Sequence, residues 1–385
     1  MAILLFPLMY TVQEMSGRIG LVTGSGLGKI IKTKYSNKVL LLLVGLLLIS
    51  NIITIGADIG AMAASFRLLV PQTPILISIL CFTIIILLTQ IFIPYKKFAK
   101  ILKFIAISLF AYVITSIIVG GNIQNILFST FVPHVEFTKN YAAIFAAIFG
   151  TTISPYLLFW QTSEEAEEEV ASGKIKDIGK GSPQKIGKKE FKRMKIDTAI
   201  GMAFSQLIMW SIITTCASTL NTHGITDIQT TDQAAKALEP LVSSFPYAGI
   251  ISKSIFALGI IGTGLLAIPV LAASCGYAIA DSFGWKQGLH KKFREAKSFY
   301  LVISMSTILG IFINFIGINT IQALIYSSII NGAISLPMII FLIKIANDKS
   351  ILKDKINSKR SNIIGGFTIA LNGISIIVML FTIWQ

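Results

Sequence analysis

Gly150-Thr-Thr-Ile-Ser-Pro-Tyr156 stands in the middle of an apolar stretch that runs from about 140 to 161. A proline inside a helix removes one backbone hydrogen bond and clashes with the preceding turn. With a glycine and three hydroxyl residues beside it, the sequence predicts a broken membrane-spanning helix, with Gly150 and Pro155 at the break. Unwound backbone at membrane depth lines cavities, and its freed carbonyls can bind a cation. The alternative is a simple proline kink whose hydroxyls bond back to the helix.

The remainder of the chain has the composition of a membrane-embedded protein. Of its 385 residues, 54% are hydrophobic and 13% are charged, and the mean hydropathy is +0.76. The apolar runs can each cross a hydrocarbon core of roughly 30 Å, and they lack the alternation of a β-barrel. We therefore predict an all-α polytopic membrane protein, with one transmembrane domain over 1–385 and a cytoplasmic loop at 162–195. The ten predicted segments cover about 1–17, 38–66, 73–93, 98–120, 140–161, 196–220, 245–281, 298–316, 320–345 and 363–384.

Net charge is +15, which in a soluble protein would suggest a nucleic-acid partner. Here the basic residues concentrate in every second loop, as the positive-inside rule describes, so the lipid bilayer is the expected surrounding and nucleic acid is not a partner. We predict a multi-pass protein of the cell inner membrane, with both Met1 and Gln385 outside. The run from Met1 to Val12 is too short to span alone, so it is either a remnant or preceded by an absent segment. The predicted cytoplasmic loops are 18–38, 94–103, 162–195, 282–297 and 344–362.

Polar residues within the predicted spans are candidate functional groups. Asp58 lies deep in the second segment, where a carboxylate is costly and usually faces a pathway or a partner. The alternative for Asp58 is a structural, hydrogen-bonded role. Asn331 is also placed in mid-membrane, and interhelical hydrogen bonding is its simplest interpretation. Glu14 is expected to form a structural ion pair with Arg18.

Other reactive residue types give no sign of catalysis. The run from Ser163 to Glu169 is interpreted as a solvated helix end. The three cysteines have unrelated spacing, and all three histidines lie in loops, so no disulfide framework or zinc site is predicted. Because the cytoplasmic loops hold no nucleophile–base set, an enzyme is not expected, and no cofactor is implied.

Three stretches resemble the NRAMP family of divalent metal transporters. The segment from Phe6 to Gly24 resembles the family's second transmembrane helix and following loop, and Asn51 to Ala61 resembles the third, with Asp58 at the acidic position. Gly150 to Ser163 resembles the broken sixth helix. The resemblance implies a LeuT-like inverted repeat of five plus five helices. Metal would bind at mid-membrane between broken helices one and six.

The sequence also departs from the family pattern. The family's first helix carries an Asp-Pro-Gly/Ser motif with a metal-ligating carboxylate, and this sequence begins after that motif. The family's Met-Pro-His corresponds here to Ser154-Pro155-Tyr156, and its two histidines fall on Tyr156 and Gln161. Because Ser154 stands where the family has methionine, the thioether ligand is missing, and the oxygen donors that remain suit Mg²⁺ or Mn²⁺. Without the histidines, proton coupling is expected to be weak or absent.

The resemblance implies a set of site residues and a function. The metal ligands would be the carbonyl of Thr151, Ser154 and Asn331, the last in place of a family glutamine, while Asp58, Tyr156 and Gln161 would line the pathway. We expect uptake of a divalent cation, Mn²⁺ or Mg²⁺, by alternating access, with the metal as substrate. Two alternatives remain: an amino-acid or other organic-solute permease of the same superfamily, and a truncated, inactive transporter copy.

Overall fold

The computed structural model describes residues 2–93, 107–119, 123–132, 138–183, 186–244 and 247–383, and within these ranges it contains helices and no strands. Short 3-10 segments lie at Ile107–Leu109, Asn221–His223, Lys236–Val242 and Phe312–Phe315. The α-helices are α1 (Ala2–Thr23), α2 (Leu27–Lys34), α3 (Asn37–Leu69), α4 (Ile75–Phe92), α5 (Phe110–Val119), α6 (Ile123–Phe131), α7 (Lys139–Thr152), α8 (Pro155–Ala171), α9 (Lys188–Thr219), α10 (Thr231–Ala235), α11 (Ala248–Phe283), α12 (Lys297–Ile311), α13 (Thr320–Ala346), α14 (Lys349–Leu352) and α15 (Lys359–Ile383).

Eight segments within the described ranges are long and apolar enough to cross a membrane, and α7 with α8 counts as one of them. A ninth is reached if α5 and α6, which meet at 119°, form one span. Helix α1 forms as predicted, but it is not among the eight. Of the predicted segment at 98–120, residues 98–106 and 120 fall outside the described residues. The all-α polytopic fold predicted from the sequence is thus confirmed.

The connection between α8 and α9 is shorter than the predicted cytoplasmic loop at 162–195. Helix α8 continues to Ala171 and α9 already begins at Lys188, which leaves 172–187 between them. Glutamate and lysine are good helix formers, so the charged flanks of both spans extend beyond the apolar core as helix. The backbone N–H of Gly187 donates to the Glu190 carboxylate, which caps the start of α9.

Helix α1 packs tightly against α8 through small and polar residues. The Ser16 hydroxyl lies 2.7 Å from that of Thr162, and Gln13 Nε2 donates to the Leu157 carbonyl at 3.1 Å. A Cβ atom on Gly20 would lie 2.1 Å from the Thr162 carbonyl oxygen, so only glycine permits this approach. Small residues at membrane helix interfaces allow such close packing. The pair α1–α8 therefore forms one side of the buried core.

Candidate functional site

The apolar span containing Pro155 is interrupted at two residues. Helix α7 ends at Thr152 and α8 begins at Pro155, and Ser154 between them is extended, with φ −80° and ψ 141°. Proline lacks the N–H that would continue the ladder, so carbonyls at the end of α7 need other donors. The Ser154 hydroxyl donates to the Gly150 carbonyl at 2.5 Å and lies 3.5 Å from the Thr151 carbonyl. The hydroxyl thus bonds back to the helix, and the Thr151 carbonyl receives only a long contact.

Gly150, which was predicted to lie at the helix break, is helical. Its role in the structure is to allow close packing between helices. A Cβ atom there would lie 1.7 Å from the Ser328 carbonyl oxygen and 2.5 Å from the Gly332 nitrogen. Next to it, Thr151 Oγ1 donates to Ser328 Oγ at 3.0 Å. Gly150 therefore lets α7 approach the backbone of α13. The unwound residues themselves are Ile153 and Ser154, three and four positions later.

Asn331 connects α13 to α3. It is buried, its Nδ2 donates to Thr54 Oγ1 at 2.9 Å, and its Oδ1 accepts from the Ser50 hydroxyl. These are the interhelical hydrogen bonds that its position in the sequence suggested. Helix α13 therefore lies between α3 on one side and α7 on the other, with the Asn331 amide directed at α3.

Ser50, Thr54 and Asp58 form a polar stripe along one face of α3. Their spacing of four residues places them on successive turns. The same spacing in the sequence could have identified Ser50 and Thr54, which were not predicted as site residues. Among the described residues, no side chain donates a hydrogen bond to Asp58 or forms an ion pair with it, although the residue is half-buried. Tyr156, in the first turn of α8, packs against the same hydrophobic cluster as Ile55 and Ile59, which lie on either side of Asp58 on α3.

Tyr156 thus lies next to the interruption, in the first turn of α8. Gln161 lies further along α8, where its Nε2 donates to Glu165 Oε1 at 2.9 Å, and it contacts α1 at Gly17. It is separated from Ser154 by almost two helical turns. Of the predicted pathway residues, Tyr156 directly follows the interruption and Gln161 lies away from it.

The acidic end of α8 is not the solvated face that its composition suggested. Glu167 Oε2 accepts from Leu289 N at 3.0 Å and from the Tyr277 hydroxyl, and Oε1 accepts from His290 N at 2.7 Å. The His290 ring nitrogen Nδ1 lies 2.9 Å from the same oxygen. Glu169 is also buried and pairs with Lys174 at 3.3 Å. Only tertiary packing places the 284–297 loop over this helix end, so sequence alone could not reveal the partners.

Within the ranges that the structure describes, no three His, Cys, Asp or Glu side chains gather in a way that could hold a metal ion. The polar atoms at the interruption are the Gly150 and Thr151 carbonyls and the Ser154 hydroxyl. Hard divalent cations are held by oxygen donors of these types. The arrangement therefore offers neutral oxygen ligands.

Comparison with known proteins places the chain among membrane transporters. The sequence pattern of the Nramp family, described as natural resistance-associated macrophage protein-like, matches residues 1–382. A manganese transporter of Eremococcus coleocola in complex with an aromatic bis-isothiourea substituted compound superposes with a TM-score of 0.73 at 14% identity, covering 97% of this chain and 78% of that chain. A histidine mutant of the same transporter gives 0.73 at 13% identity, with 98% and 78% covered. At such identities the likeness establishes the fold.

Proposed function

Because the chain belongs to the Nramp family, we propose that it carries a divalent metal cation across the membrane by alternating access. The observation that carries the proposal is the interruption between α7 and α8, together with Asp58 on α3, a half-buried carboxylate with no hydrogen-bond donor among the described residues. A carboxylate within a span is costly unless it serves a partner or a pathway. A cation in the interruption would supply that partner.

The proposed ligands are the Thr151 carbonyl, the Ser154 hydroxyl and the Asn331 side-chain oxygen. The carbonyl end of a helix carries partial negative charge, and α7 directs this end at the interruption. Ser154 uses its proton on the Gly150 carbonyl, and its oxygen keeps lone pairs. The Asn331 oxygen accepts one bond, from Ser50, and can accept a second interaction. For Asn331 to join the site, α13 would have to shift relative to α3.

The proposed cargo is Mn²⁺ or Mg²⁺. Oxygen-only ligands favour hard cations, while a thioether would favour softer ones. The superposed transporter of Eremococcus coleocola is named for manganese, which supports Mn²⁺ as one cargo. Proton coupling is proposed to be weak, because Tyr156 and Gln161 stand where the family has histidines. The basic loops are proposed to face the cytoplasm, in the cell inner membrane.

The test is transport by the purified chain in proteoliposomes that contain a metal-sensitive dye. We expect Mn²⁺ influx that excess Mg²⁺ inhibits, that a proton gradient changes little, and that Ser154→Ala slows. Ser375→Ala is the matched control, because the Ser375 hydroxyl also bonds back to its own helix, to the Asn372 carbonyl at 2.7 Å, on α15. Equal slowing in both variants would remove Ser154 from the ligand set.

Other results of the same assay would contradict the proposal. Proton-driven Fe²⁺ influx that ignores excess Mg²⁺ would contradict the hard-cation site. Influx of amino acids with no metal effect would support the organic-solute permease. No influx of any solute by a folded protein would support an inactive chain.

A further inference from the structure

A cavity of about 650 Å³ opens between α1, the start of α9 and the segment that precedes α15. Its lining is strongly basic, with five cationic side chains against the two carboxylates of Glu14 and Asp354. The Lys355 ammonium donates to Asp354 at 2.6 Å and lowers the pKa of that carboxyl, so Asp354 is anionic near neutral pH. The lining therefore carries a net positive charge. Its cationic residues are Arg18, Lys188, Lys192, Lys195 and Lys355.

Part of this charge is already neutralised by structural pairs. Arg18 lies 3.3 Å from Glu14, which confirms the ion pair expected from the sequence, and Lys195 approaches the same carboxylate at 3.6 Å. Arg18 Nη1 also donates to the carbonyls of Lys355 and Ile356, at 3.1 and 2.9 Å, and so fixes the cavity wall. The Arg18 Nε group is buried with no acceptor in the described part of the chain.

Two cationic residues are left for a ligand. Lys188 and Lys192, one turn apart on α9, are exposed and have no acidic partner within the described ranges. A cavity with a net positive charge repels a metal cation, so it is not suited to form part of the transport pathway. It is suited to an anion whose oxygens accept hydrogen bonds from hydroxyl groups, because Ser358 and Ser361 also line the cavity.

The surface next to the cavity is apolar. On α9, a stripe of exposed side chains begins at the cavity wall with Ile196, at 45% exposure, and continues along the same helix face away from Lys188. The later members of the stripe are Ile200, Phe204 and Leu207. A free phosphate would use the cavity only, whereas a phospholipid would use the cavity for its headgroup and the stripe for its acyl chains.

We propose that this cavity binds the phosphate headgroup of an anionic phospholipid of the cytoplasmic leaflet. Basic pockets between transmembrane helices on the cytoplasmic side are suited to such headgroups. The acyl chains lie along the apolar stripe of α9. The site is separate from the proposed metal site and does not depend on the identity of the cargo.

The test is native mass spectrometry of the full chain in detergent, titrated with phosphatidylglycerol or with phosphatidylcholine of the same acyl chains. We expect the wild type to retain phosphatidylglycerol preferentially. The double variant Lys188→Gln, Lys192→Gln should bind it about 30-fold more weakly, from roughly 1 kcal/mol per lysine near an anionic surface. The matched control is Lys286→Gln, Lys292→Gln, which removes two exposed lysines of the 284–297 loop and should leave affinity unchanged.

Each other outcome overturns the proposal. Equal retention of both lipids by the wild type, or equal loss in both double variants, would show that no specific site exists. Displacement of phosphatidylglycerol by millimolar inorganic phosphate would identify the cavity as a site for free phosphate. A melting temperature measured for both double variants separates lost binding from lost folding.

Discussion

Asp58 and Glu167 are both half-buried carboxylates on helices that cross the membrane, and their surroundings are opposite. Glu167 is held by two backbone N–H groups, a tyrosine hydroxyl and a histidine ring, all from α11 and the loop after it. Asp58 has no such donors among the described residues. A carboxylate with a complete donor set stabilises the fold, while one left without donors is available for an external cation. Burial alone therefore does not distinguish the two roles.

The largest expected effect on stability is that of Glu167→Ala. It leaves the N–H groups of Leu289 and His290 and the Tyr277 hydroxyl without their acceptor, so the free energy of unfolding should fall by about 3 kcal/mol. Unfolding by sodium dodecyl sulfate from maltoside micelles measures this. Glu168→Ala is the control, because its side chain is 52% exposed and its one ion pair within the described ranges, with Arg193, is 3.9 Å long. Similar losses in both variants would remove the distinction between the two glutamates.

Gly150→Ala should lower the free energy of unfolding by about 2 kcal/mol, because the new methyl overpacks the contact with α13. The Ser328 carbonyl that it meets is backbone and cannot rotate away. Gly201→Ala, on α9, is the control, since its Cβ would meet nothing within 4 Å. The control should be neutral or slightly stabilising, and the same unfolding assay compares them. A neutral Gly150→Ala would mean that α7 and α13 are less closely packed.

Asn331→Ala should cost about 1 kcal/mol, the size of an interhelical hydrogen bond in a membrane protein. Ser50 and Thr54 lose a partner but can bond within α3, as Thr54 already does to the Ser50 carbonyl at 2.9 Å. Metal influx should fall as well if Asn331 is a ligand. A stability loss without any change in influx would limit Asn331 to its structural role.

Asp58→Asn should change the free energy of unfolding by less than about 0.5 kcal/mol, because no hydrogen bond is broken. Metal affinity, measured by calorimetry with Mn²⁺, should fall by at least about tenfold, since the negative charge that would balance the cation in the pathway is lost. Asp58→Asn is thus expected to lower metal binding with little effect on stability, whereas Glu167→Ala is expected to lower stability. A strongly destabilised Asp58→Asn protein with intact binding would reverse the assignment.

The sequence was sufficient for the fold because its signals are local. Apolar runs and basic loops define the spans, and Pro155 marks the interruption. The partners of Glu167 could not be predicted, because they lie more than a hundred residues away in the sequence. For the same reason, the contact of Gly150 with α13 could not be predicted from the sequence. The four-residue spacing of Ser50, Thr54 and Asp58, in contrast, is present in the sequence and predicts that the three side chains share one helix face. Long-range packing, rather than residue type, separates structural from functional polar groups here.

The interruption at Ile153 and Ser154 has a mechanical consequence. Helix α8 is joined to α1 by Ser16 and Thr162 and to the loop after α11 by Glu167, whereas α7 is joined to α13 at Gly150. The two halves of one span therefore pack mainly against different helices. A tilt of α8 relative to α7 would therefore be taken up at Ile153 and Ser154, the two non-helical residues between them, and would widen or narrow the gap at Ser154.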